Sequence, residues 1–440
     1  MTEVLPKSIR RVCFAKSRLL PREVDMRAIS LIWLLILLTF TISEGTVFEW
    51  PQFRGPGRDN LSFETGLMKQ WPSSGPRLLW TAEGIGEGYS TVAVANGLIY
   101  TTGNIGNDTV ITALDIDGGV KWTVKNGPAY KREKPGTRGT PTIDDGRLYH
   151  ENADGDIVCL EAGTGKKIWS LNILKRFDGR NITWALAESL LIDGNNVICT
   201  PGGEKVGIAA LNKKTGQSVW TCEGTNDKPG YSSPIVFEYK GLRQIVVLMA
   251  KSVAGVNADT GKLLWSIKHV TPFDENINTP IYNDGCVFVC SRTTGSRLIR
   301  LKVDGDRVSV EEVWNSKLLE SQHGGIILLN GYLYGASRTP SLGPWMCLDF
   351  ATGKQMYAEP GIGPGSLTYA DGMIYALNQN STMALVRAVP NAFGVISQFS
   401  IPKGGSGPTW AHPVVCNGRL YIRHGNFLYC YDVKANRTGR

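Results

Sequence analysis

The chain has 440 residues, of which 42% are hydrophobic and 9% aromatic, so it carries enough apolar material for a large folded core. The formal net charge at pH 7 is +8, but residues 1–43 hold seven Lys or Arg against three Asp or Glu and account for half of it. The remaining chain is mildly basic and shows no run of Lys and Arg, which excludes nucleic-acid binding as the expected function.

Residues 1–43 are typical of a targeting segment. Arg22 and Arg27 precede a predominantly apolar run of 15 residues at positions 28–42, and Ser-Glu-Gly follows the run. A helix of that length spans about 22 Å against a hydrocarbon core of roughly 30 Å, which favours a cleaved export signal over an uncleaved N-terminal anchor or a buried helix. Met26 is an alternative start of the chain. We therefore expect export to the periplasm or cell envelope, with attachment to the inner membrane through this segment as the alternative.

Residues 44–75 form a lead-in that precedes the rest of the fold. The stretch 50–60 is rich in Pro, Gly and Arg, a composition that favours an extended, ordered segment over a helix. We expect Trp50, Phe53 and Trp71 to hold this lead-in against the outside of a blade. An arm that reaches a partner is the alternative.

A repeat organises the chain from residue 76 onward. The segment 210–220, Ala-Leu-Asn-Lys-Lys-Thr-Gly-Gln-Ser-Val-Trp, has close or weaker copies on both sides. The aromatic residues that close the successive copies are Trp80, Trp122, Trp169, Trp220, Trp265, Trp314, Tyr357 and Phe399. Their spacing of 42 to 51 residues, sustained over most of the chain, indicates an array of similar modules.

Each module contains two hairpins. In the hairpin of the repeat, the Asp or Asn side chain can bond to turn amides, and the Gly takes the positive φ that other residues resist. An upstream hairpin has the form Pro-x-x-x-x-Gly-x-Leu-Tyr, clearest at 141–149 and 413–421. The glycines of eight such hairpins are Gly97, Gly146, Gly194, Gly241, Gly285, Gly331, Gly372 and Gly418. Units of four short strands at this period are propeller blades, so the sequence predicts an all-β, eight-bladed β-propeller over residues 76–433 and a tail at 434–440.

The two ends of the array indicate how the ring closes. The sequence after Asp432 lacks a last outer strand, while residues 76–80, Pro-Arg-Leu-Leu-Trp, form an orphan strand with the missing ending. We expect these N-terminal and C-terminal strands to pair and so to remove an exposed sheet edge.

Eight of the nine cysteines follow the targeting segment. Cys159, Cys347 and Cys430 occupy a repeat position where other modules carry Ala, so we expect them to pack between blades. Cys286 and Cys290 lie four residues apart and are expected on one face of a strand. A disulfide among the eight is the alternative for an exported protein, and its connectivity stays open.

The recurring Leu-Asp-x-x-Thr-Gly-Lys-x-x-Trp pattern resembles the pyrroloquinoline-quinone (PQQ) repeat. That repeat occurs in quinoprotein alcohol dehydrogenases and in the BamB lipoprotein of the outer-membrane assembly machinery, both eight-bladed propellers, and the resemblance covers residues 76–433. The segment 50–56, Trp-Pro-Gln-Phe-Arg-Gly-Pro, also resembles the start of a bacterial group of exported PQQ-like propellers. Enzymes and scaffolds share this blade motif, so the resemblance implies the fold and leaves the function open.

The two branches of the resemblance imply different features. The dehydrogenase branch implies PQQ and Ca²⁺ at the channel mouth, with an Asp base, a vicinal disulfide beside the quinone and a Trp stacked on it. This chain has no adjacent Cys-Cys pair, and no motif places a catalytic Asp. The BamB branch implies a lipid anchor, but no Cys follows the apolar run until Cys159, so lipid attachment is not expected.

Candidate binding residues come from aligning the blades on the glycine of the first hairpin. The residue eight positions earlier should stand just before the innermost strand, at one end of the channel. This alignment, together with close neighbours, gives Tyr89, Arg138, Trp184, Tyr231, His323, Trp410 and His412. Such a ring could stack a planar ligand and attract a carboxylate; the alternative is that these side chains merely plug the channel.

Other chemistry is sparse in the sequence. The five histidines show no spacing typical of a metal site, and no metal is predicted. Glu151, Glu188 and Glu204 are isolated carboxylates that we expect on solvated loops.

The sequence thus favours an exported, non-catalytic binding or assembly scaffold of the cell envelope, with envelope proteins or a small anionic, planar ligand as partners. No cofactor is predicted for this scaffold. A PQQ-dependent dehydrogenase acting on an alcohol or sugar, with PQQ and Ca²⁺, is one alternative. A carbohydrate- or polymer-binding module is the other.

Overall fold

The structure, a computed structural model, describes residues 47–338 and 343–435. The chain divides into two units, Met1–Val47 and Phe48–Arg440, and the elements described below belong to the second. The predicted targeting segment lies outside the described residues.

The strands of the described segments form eight sheets, arranged as the blades of a β-propeller. The strands of each blade are given from the channel outward. Blade 1 contains Ala93–Ala95, Leu98–Ile105, Asp108–Asp115 and Val120–Pro128, and blade 2 contains Thr142–Asp144, Arg147–Glu151, Asp156–Glu161 and Lys167–Asn172. Blade 3 contains Leu191–Asp193, Asn196–Cys199, Ile208–Asn212 and Ser218–Cys222, and blade 4 contains Ile235–Tyr239, Leu242–Leu248, Ser252–Asn257 and Leu263–Lys268. Blade 5 contains Ile281–Asn283, Cys286–Ser291, Gly295–Asp304 and Arg307–Ser316, and blade 6 contains Ile326–Leu329, Tyr332–Ala336, Trp345–Asp349 and Gln355–Glu359. Blade 7 contains Gly365–Ala370, Met373–Asn378, Thr382–Arg387 and Val395–Ser400, and blade 8 contains Val414–Cys416, Arg419–His424, Phe427–Asp432 and Arg77–Glu83. The predicted all-β, eight-bladed propeller is therefore confirmed.

Helical structure in the described segments is limited to short pieces. These are the helix Ile173–Arg176, which is capped by Asn172, and the 3-10 turn Pro272–Asp274. No helix in these segments has the length and apolar character that a membrane span requires.

The ring closes as the sequence predicts. Arg77–Glu83 is the outer strand of blade 8 and pairs antiparallel with Phe427–Asp432. Trp80 lies opposite Cys430 in this pairing. The N-terminal strand thus gives blade 8 the four strands that the other blades take from one continuous stretch of chain.

The Thr-Gly turn and the closing Trp of the repeat meet across blade interfaces. A β-carbon at Gly165 would lie 2.8 Å from the Trp122 ring of the preceding blade, and Trp122 Nε1 donates to the carbonyl oxygen of Ala162 at 3.1 Å. The same contact joins Gly118 to Trp80, Gly216 to Trp169, Gly261 to Trp220 and Gly353 to Trp314. Because Gly165 also has a φ of +74°, a side chain there would be strained and would displace the indole. The repeat is therefore a docking motif between neighbouring blades.

The cysteines lie in the apolar clusters that fill the spaces between blades. Cys159, Cys347 and Cys430 each lie in a cluster shared by two neighbouring blades, as expected, and Cys286 and Cys290 share one cluster. All eight cysteines of the described segments are buried and free.

The lead-in runs across the channel and not along the outside of the fold. Trp50 and Val94 exchange backbone hydrogen bonds of 2.8 Å in both directions at the inner strand of blade 1, and the Ile143 amide of blade 2 donates to the Pro51 carbonyl at 2.7 Å. Leu61–Ser62 then adds in parallel to the inner strand of blade 7. We call residues 50–62 the strap.

Two buried arginines extend the contacts of the strap to further blades. Arg58 donates to the carbonyl oxygens of Ser189 and Leu190 before the inner strand of blade 3, at 2.6 and 3.1 Å, and Arg54 donates to that of Ile326 in blade 6. The expectation that Trp50 and Phe53 hold the lead-in to the outside of a blade is therefore wrong. Innermost strands leave backbone groups unpaired toward the channel, and the strap supplies the partners that they need.

Trp71 departs from the rest of the lead-in. Its ring packs 5.8 Å from Tyr375 of blade 7, 5.3 Å from Phe399 of the same blade, and in one cluster with Tyr431 of blade 8. Trp71 thus belongs to an interface between blades, where it leads the chain from the strap to the closing strand.

Candidate functional site

The predicted residues meet in one cavity at the mouth of the channel. The cavity has a volume of about 820 Å³. Its lining includes all seven predicted residues, Tyr89, Arg138, Trp184, Tyr231, His323, Trp410 and His412. The side chains come from loops that precede the inner strands of six blades, as the alignment on the hairpin glycines requires. Their role in ligand binding stays a prediction.

The strap forms the floor of this mouth cavity. Phe53 lines the cavity, and its ring lies 5.2 Å from the ring of His412. The channel below is occupied by the buried side chains of Arg54, Arg58 and Asn60. The mouth cavity is therefore closed on the side that faces the channel.

One wall of the cavity is a preformed aromatic stack. The rings of His323 and Trp410 lie parallel, with centroids 3.9 Å apart and an interplanar angle of 14°. Tyr89 packs against Trp410 at 5.0 Å and 37°, and Lys134 Nζ lies 5.9 Å from the centroid of the indole. His323 thus covers one face of Trp410, so this wall presents ring edges more than an open stacking platform.

A second aromatic wall centres on Trp184. Its ring lies 6.0 Å from Tyr231 and 6.3 Å, edge-on, from Phe273. The Trp184 amide donates to Tyr231 Oη at 3.1 Å, and its indole Nε1 donates to Glu133 Oε2 at 3.3 Å. These contacts fix the orientation of the indole, and its rings remain partly exposed to the cavity.

Two arginines of the cavity carry positive charge that no ion pair within the described residues neutralises. The Arg138 guanidinium donates to the carbonyls of Lys134 and Gly136 at 2.9 and 3.2 Å and stacks 4.4 Å from the Tyr130 ring. Arg338 donates to the amide oxygen of Gln322. Neither arginine forms an ion pair with a carboxylate of the described residues.

The two carboxylates that line the cavity are already engaged, and Glu133 accepts from Trp184 Nε1. Glu275 lies 3.7 Å from Arg292 and accepts from Gln322 Nε2 at 3.1 Å. Guanidinium groups that lack a carboxylate partner are suited to bidentate recognition of an anion. Burial lowers the pKa of Arg138, but arginine remains charged near neutral pH.

Both histidines of the cavity are neutral. Burial, with Arg338 and Arg138 nearby, lowers the pKa of His323 to about 3, and burial with Arg54 nearby lowers that of His412 to about 4. Neither histidine therefore competes with the arginines for an anion at physiological pH.

A family model that matches the repeats shows which family this chain belongs to. A family model described as "Outer membrane protein assembly factor BamB" matches residues 106–359, more than half of the chain. The chain belongs to this PQQ-repeat, BamB-like family. BamB of Moranella endobia (strain PCIT) is 23% identical over 269 residues, which cover 56% of this chain and 64% of that protein. The quinoprotein alcohol dehydrogenase PedH of Pseudomonas putida is 27% identical over 156 residues, 34% of this chain and 25% of PedH. Each match therefore covers less than two thirds of the relative.

Solved structures show the shared fold. The crystal structure of BamB from Moraxella catarrhalis superposes with a TM-score of 0.58 at 15% identity, over 82% of this chain and 99% of that one. A europium-containing methanol dehydrogenase gives 0.64 at 13% identity, over 86% and 90%. At these identities the likeness concerns the propeller itself.

The PQQ and Ca²⁺ of the dehydrogenase branch do not fit the residues of this BamB-like mouth. The carboxylates that line it are Glu133 and Glu275, with no Asp among them. The eight cysteines of residues 47–338 and 343–435 are buried and free, so these segments supply no vicinal disulfide. The same segments contain no group of three His, Cys, Asp or Glu side chains that could hold a metal ion.

Sequence reasoning missed several groups of the site. The cavity is also lined by Phe53, Glu133, Lys134, Ser189, Ser233, Glu275, Gln322, Arg338, Gln379, Asn380 and Ser381. Gln322 adjoins a predicted residue and Gln379 follows the end of a strand, so their positions in the blade pattern could have indicated them. Phe53 had no such signal, because only the path of the strap brings it to the mouth.

Two carboxylates expected on solvated loops are buried. Glu151 ends the second strand of blade 2 and is 4% exposed, and Glu188 precedes the inner strand of blade 3 and is 5% exposed. Both lie where blades 2 and 3 meet, a position that single-sequence patterns do not mark. Glu204 is exposed, as expected, and it pairs with Arg180.

Proposed function

We propose that the chain is an exported, non-catalytic binding and assembly scaffold of the bacterial cell envelope, and that the mouth cavity receives an acidic segment of an envelope protein. The observation that carries this proposal is the pair of arginines, Arg138 and Arg338, between two aromatic walls without carboxylate partners. Membership of the BamB-like family supports the scaffold role, and the predicted export segment supports the location.

The geometry suits recognition of a protein segment. Arginine and aromatic side chains are the residues that most often dominate binding energy at interfaces, and they act best in pockets that exclude water. The cavity combines Arg138 with the Trp184 wall and is closed beneath by Phe53. A carboxylate held by Arg138 would form a charge-assisted pair of hydrogen bonds.

Site-specific crosslinking tests the proposal. A photoreactive amino acid at Asn380, which lines the mouth, should give a covalent product with one envelope protein in cells that express the full chain. A probe at Val219, 51% exposed on the outer strand of blade 3, serves as the matched control and should not give that product. Combined Arg138→Ala and Trp410→Ala replacement should abolish it. The same product from Val219, or a product that survives the double replacement, would contradict the proposal.

A small anionic or planar ligand and a carbohydrate are the competing occupants. The amide and hydroxyl groups of Gln379, Asn380 and Ser381, together with the partly exposed Trp184 ring in the same cavity, favour a sugar as the second candidate, because sugars bind through such groups and aromatic faces. Binding of envelope polysaccharide to the purified protein, lost on Trp184→Ala, would support the carbohydrate module. The dehydrogenase alternative requires that PQQ with Ca²⁺ give a shifted quinone absorbance and dye reduction with an alcohol or sugar.

A further inference from the structure

We infer that the strap is part of the recognition site, and that Asn60 is the positioning residue that holds the His323–Trp410 wall in place. The effect on partner binding rests on the proposed function, but the arrangement itself is independent of it. A chain of hydrogen bonds leads from the strap to the wall of the mouth cavity.

The chain of hydrogen bonds begins at the Asn60 amide. Asn60 is fully buried, and its Nδ2 lies 3.0 Å from the carbonyl oxygen of Leu367 and 2.8 Å from Nδ1 of His412. The Leu367 carbonyl can only accept, so Nδ2 must be the NH₂ group that faces both atoms. The orientation of the amide is therefore determined by its partners.

The orientation of Asn60 fixes the tautomer of His412. Because Nδ1 of His412 accepts from Asn60, the proton of the neutral ring resides on Nε2. That atom lies 2.9 Å from the carbonyl oxygen of His323, which it reaches as a donor. The backbone of His412 is held as well, since Thr91 Oγ1 donates to its carbonyl oxygen at 2.7 Å.

The last link is the aromatic stack. The Nε2–H of His412 anchors the backbone of His323, whose ring lies parallel to Trp410 at 3.9 Å. Asn60 is thus connected to Trp410 through His412 and His323. A change at Asn60 should move a wall of the mouth cavity that Asn60 does not itself line.

The substitution Asn60→Asp reverses the donor and acceptor roles in this chain of hydrogen bonds. The backbone of Asn60 has a φ of +62°, a conformation that Asp tolerates almost as well as Asn. A carboxylate cannot donate to Nδ1 of His412 or to Leu367, so the ring must carry a proton on Nδ1 and, to keep the bond to His323, on Nε2 also. The charged groups that face His412 are the Arg54 guanidinium and this new carboxylate, with neutral His323 on the other side. An opposite charge at this distance raises a histidine pKa by about 1 to 3 units.

NMR of the full chain labelled at its five histidines tests the inference. In the natural protein, His412 should show the neutral Nε2–H tautomer between pH 5 and 8, and the His323 ring protons should be shifted upfield by the Trp410 indole. In Asn60→Asp, His412 should titrate at least one pH unit higher. Above that pKa the neutral ring keeps its proton on Nδ1 toward the carboxylate and has none on Nε2 to donate to His323, so the upfield shift should decrease and the mouth crosslink should fall about tenfold.

A matched pair elsewhere in the chain provides the control. Asn126 Nδ2 lies 2.9 Å from Nδ1 of His150, in a buried pair that does not line the mouth. Asn126→Asp should alter the resonances of His150 and leave the His323 ring and the crosslink unchanged. If Asn60→Asp does not fold, His412→Gln, which retains a donor and an acceptor, should keep the upfield shift, and His412→Leu should lose it.

The outcomes separate this inference from the proposed function. An Nδ1–H tautomer in the natural protein, or an unchanged His323 shift in both Asn60→Asp and His412→Leu, would overturn the chain of contacts. An altered shift with an undiminished crosslink would overturn the positioning role. The expected shifts without any mouth-specific crosslink in the natural protein would support the chain of contacts and count against the proposed function.

Discussion

Replacement of Glu188 by Gln should stabilise the propeller at neutral and alkaline pH. Glu188 and Glu151 are buried together between blades 2 and 3, and neither carboxylate oxygen of Glu151 has a hydrogen-bond partner in the described residues. Burial raises the pKa of Glu188 to about 8, although the strap's Arg58 opposes the shift. Burial and the nearby Glu188 raise the pKa of Glu151 well above its usual range.

The proton balance gives the sign of the effect. The folded chain keeps the Glu188 proton up to about pH 8, while the unfolded chain releases it near pH 4.5. Between these values the folded state binds more protons than the unfolded state, so the free energy of unfolding falls by about 1.4 kcal/mol per pH unit. At pH 7 the accumulated loss from Glu188 is roughly 3 kcal/mol. Gln resembles the protonated acid in shape and has no proton to lose, so Glu188→Gln should recover most of that amount at pH 7 and little at pH 4.5.

Urea unfolding measured at pH 5 and pH 8 checks this prediction. The difference in unfolding free energy between the two pH values should be several kcal/mol in the natural chain and clearly smaller in Glu188→Gln. Glu204→Gln is the control, since this exposed glutamate forms a surface pair with Arg180 and should change stability by no more than about 1 kcal/mol. Equal stability of the natural chain at both pH values, or a pH dependence that Glu188→Gln leaves intact, would refute the reasoning.

Two further predictions concern the ring. Gly165→Ala should destabilise the protein by about 1 to 3 kcal/mol in thermal unfolding, because the methyl group meets the Trp122 ring. Gly146 is the control, since it has a similar φ of +69° and nothing lies within 4 Å of its added β-carbon. Gly146→Ala should therefore destabilise the protein less than Gly165→Ala does. Equal losses would show that backbone strain alone requires glycine at the Thr-Gly turn. Trp80→Ala should loosen the closing strand. Hydrogen exchange would then be faster at Phe427–Asp432 than in blade 4. Uniform exchange in the two places would contradict a ring closure that depends on Trp80.

The propeller could be predicted because its determinants are local and repeated. A Thr-Gly turn and a Trp four or five residues later specify a hairpin, and the contact of Gly165 with Trp122 docks that hairpin on its neighbour. Each blade therefore needs information only from itself and the preceding blade, and the sequence repeats that information at a regular spacing. The same regularity placed Tyr89 and Trp410 at the mouth, since each stands at a fixed distance from a hairpin glycine.

The strap and the buried carboxyl pair had no such periodic signal. Asn60 and His412 are separated by 352 residues, and Arg54 and Ile326 by 272. Contacts at such separations occur once in the chain and leave no repeat to recognise. Glu188 is likewise buried near Arg58 of the strap, and the repeat specifies neither position, so composition alone suggested a solvated loop.

The strap also explains why the loops at the channel mouth can differ from blade to blade. Its contacts with the inner strands of blades 1, 2, 6 and 7, and with the residues just before that of blade 3, join modules that the repeat links only to their neighbours. The ring is therefore held both along its circumference and across its axis. Glycine–tryptophan contacts maintain the circumference without using any mouth residue. The mouth loops are therefore free to differ from blade to blade without disturbing the docking of the blades. With the axis filled by Arg54 and Arg58, the mouth cavity opens to one side, where Asn60 connects the central support to the His323–Trp410 wall of the proposed recognition site.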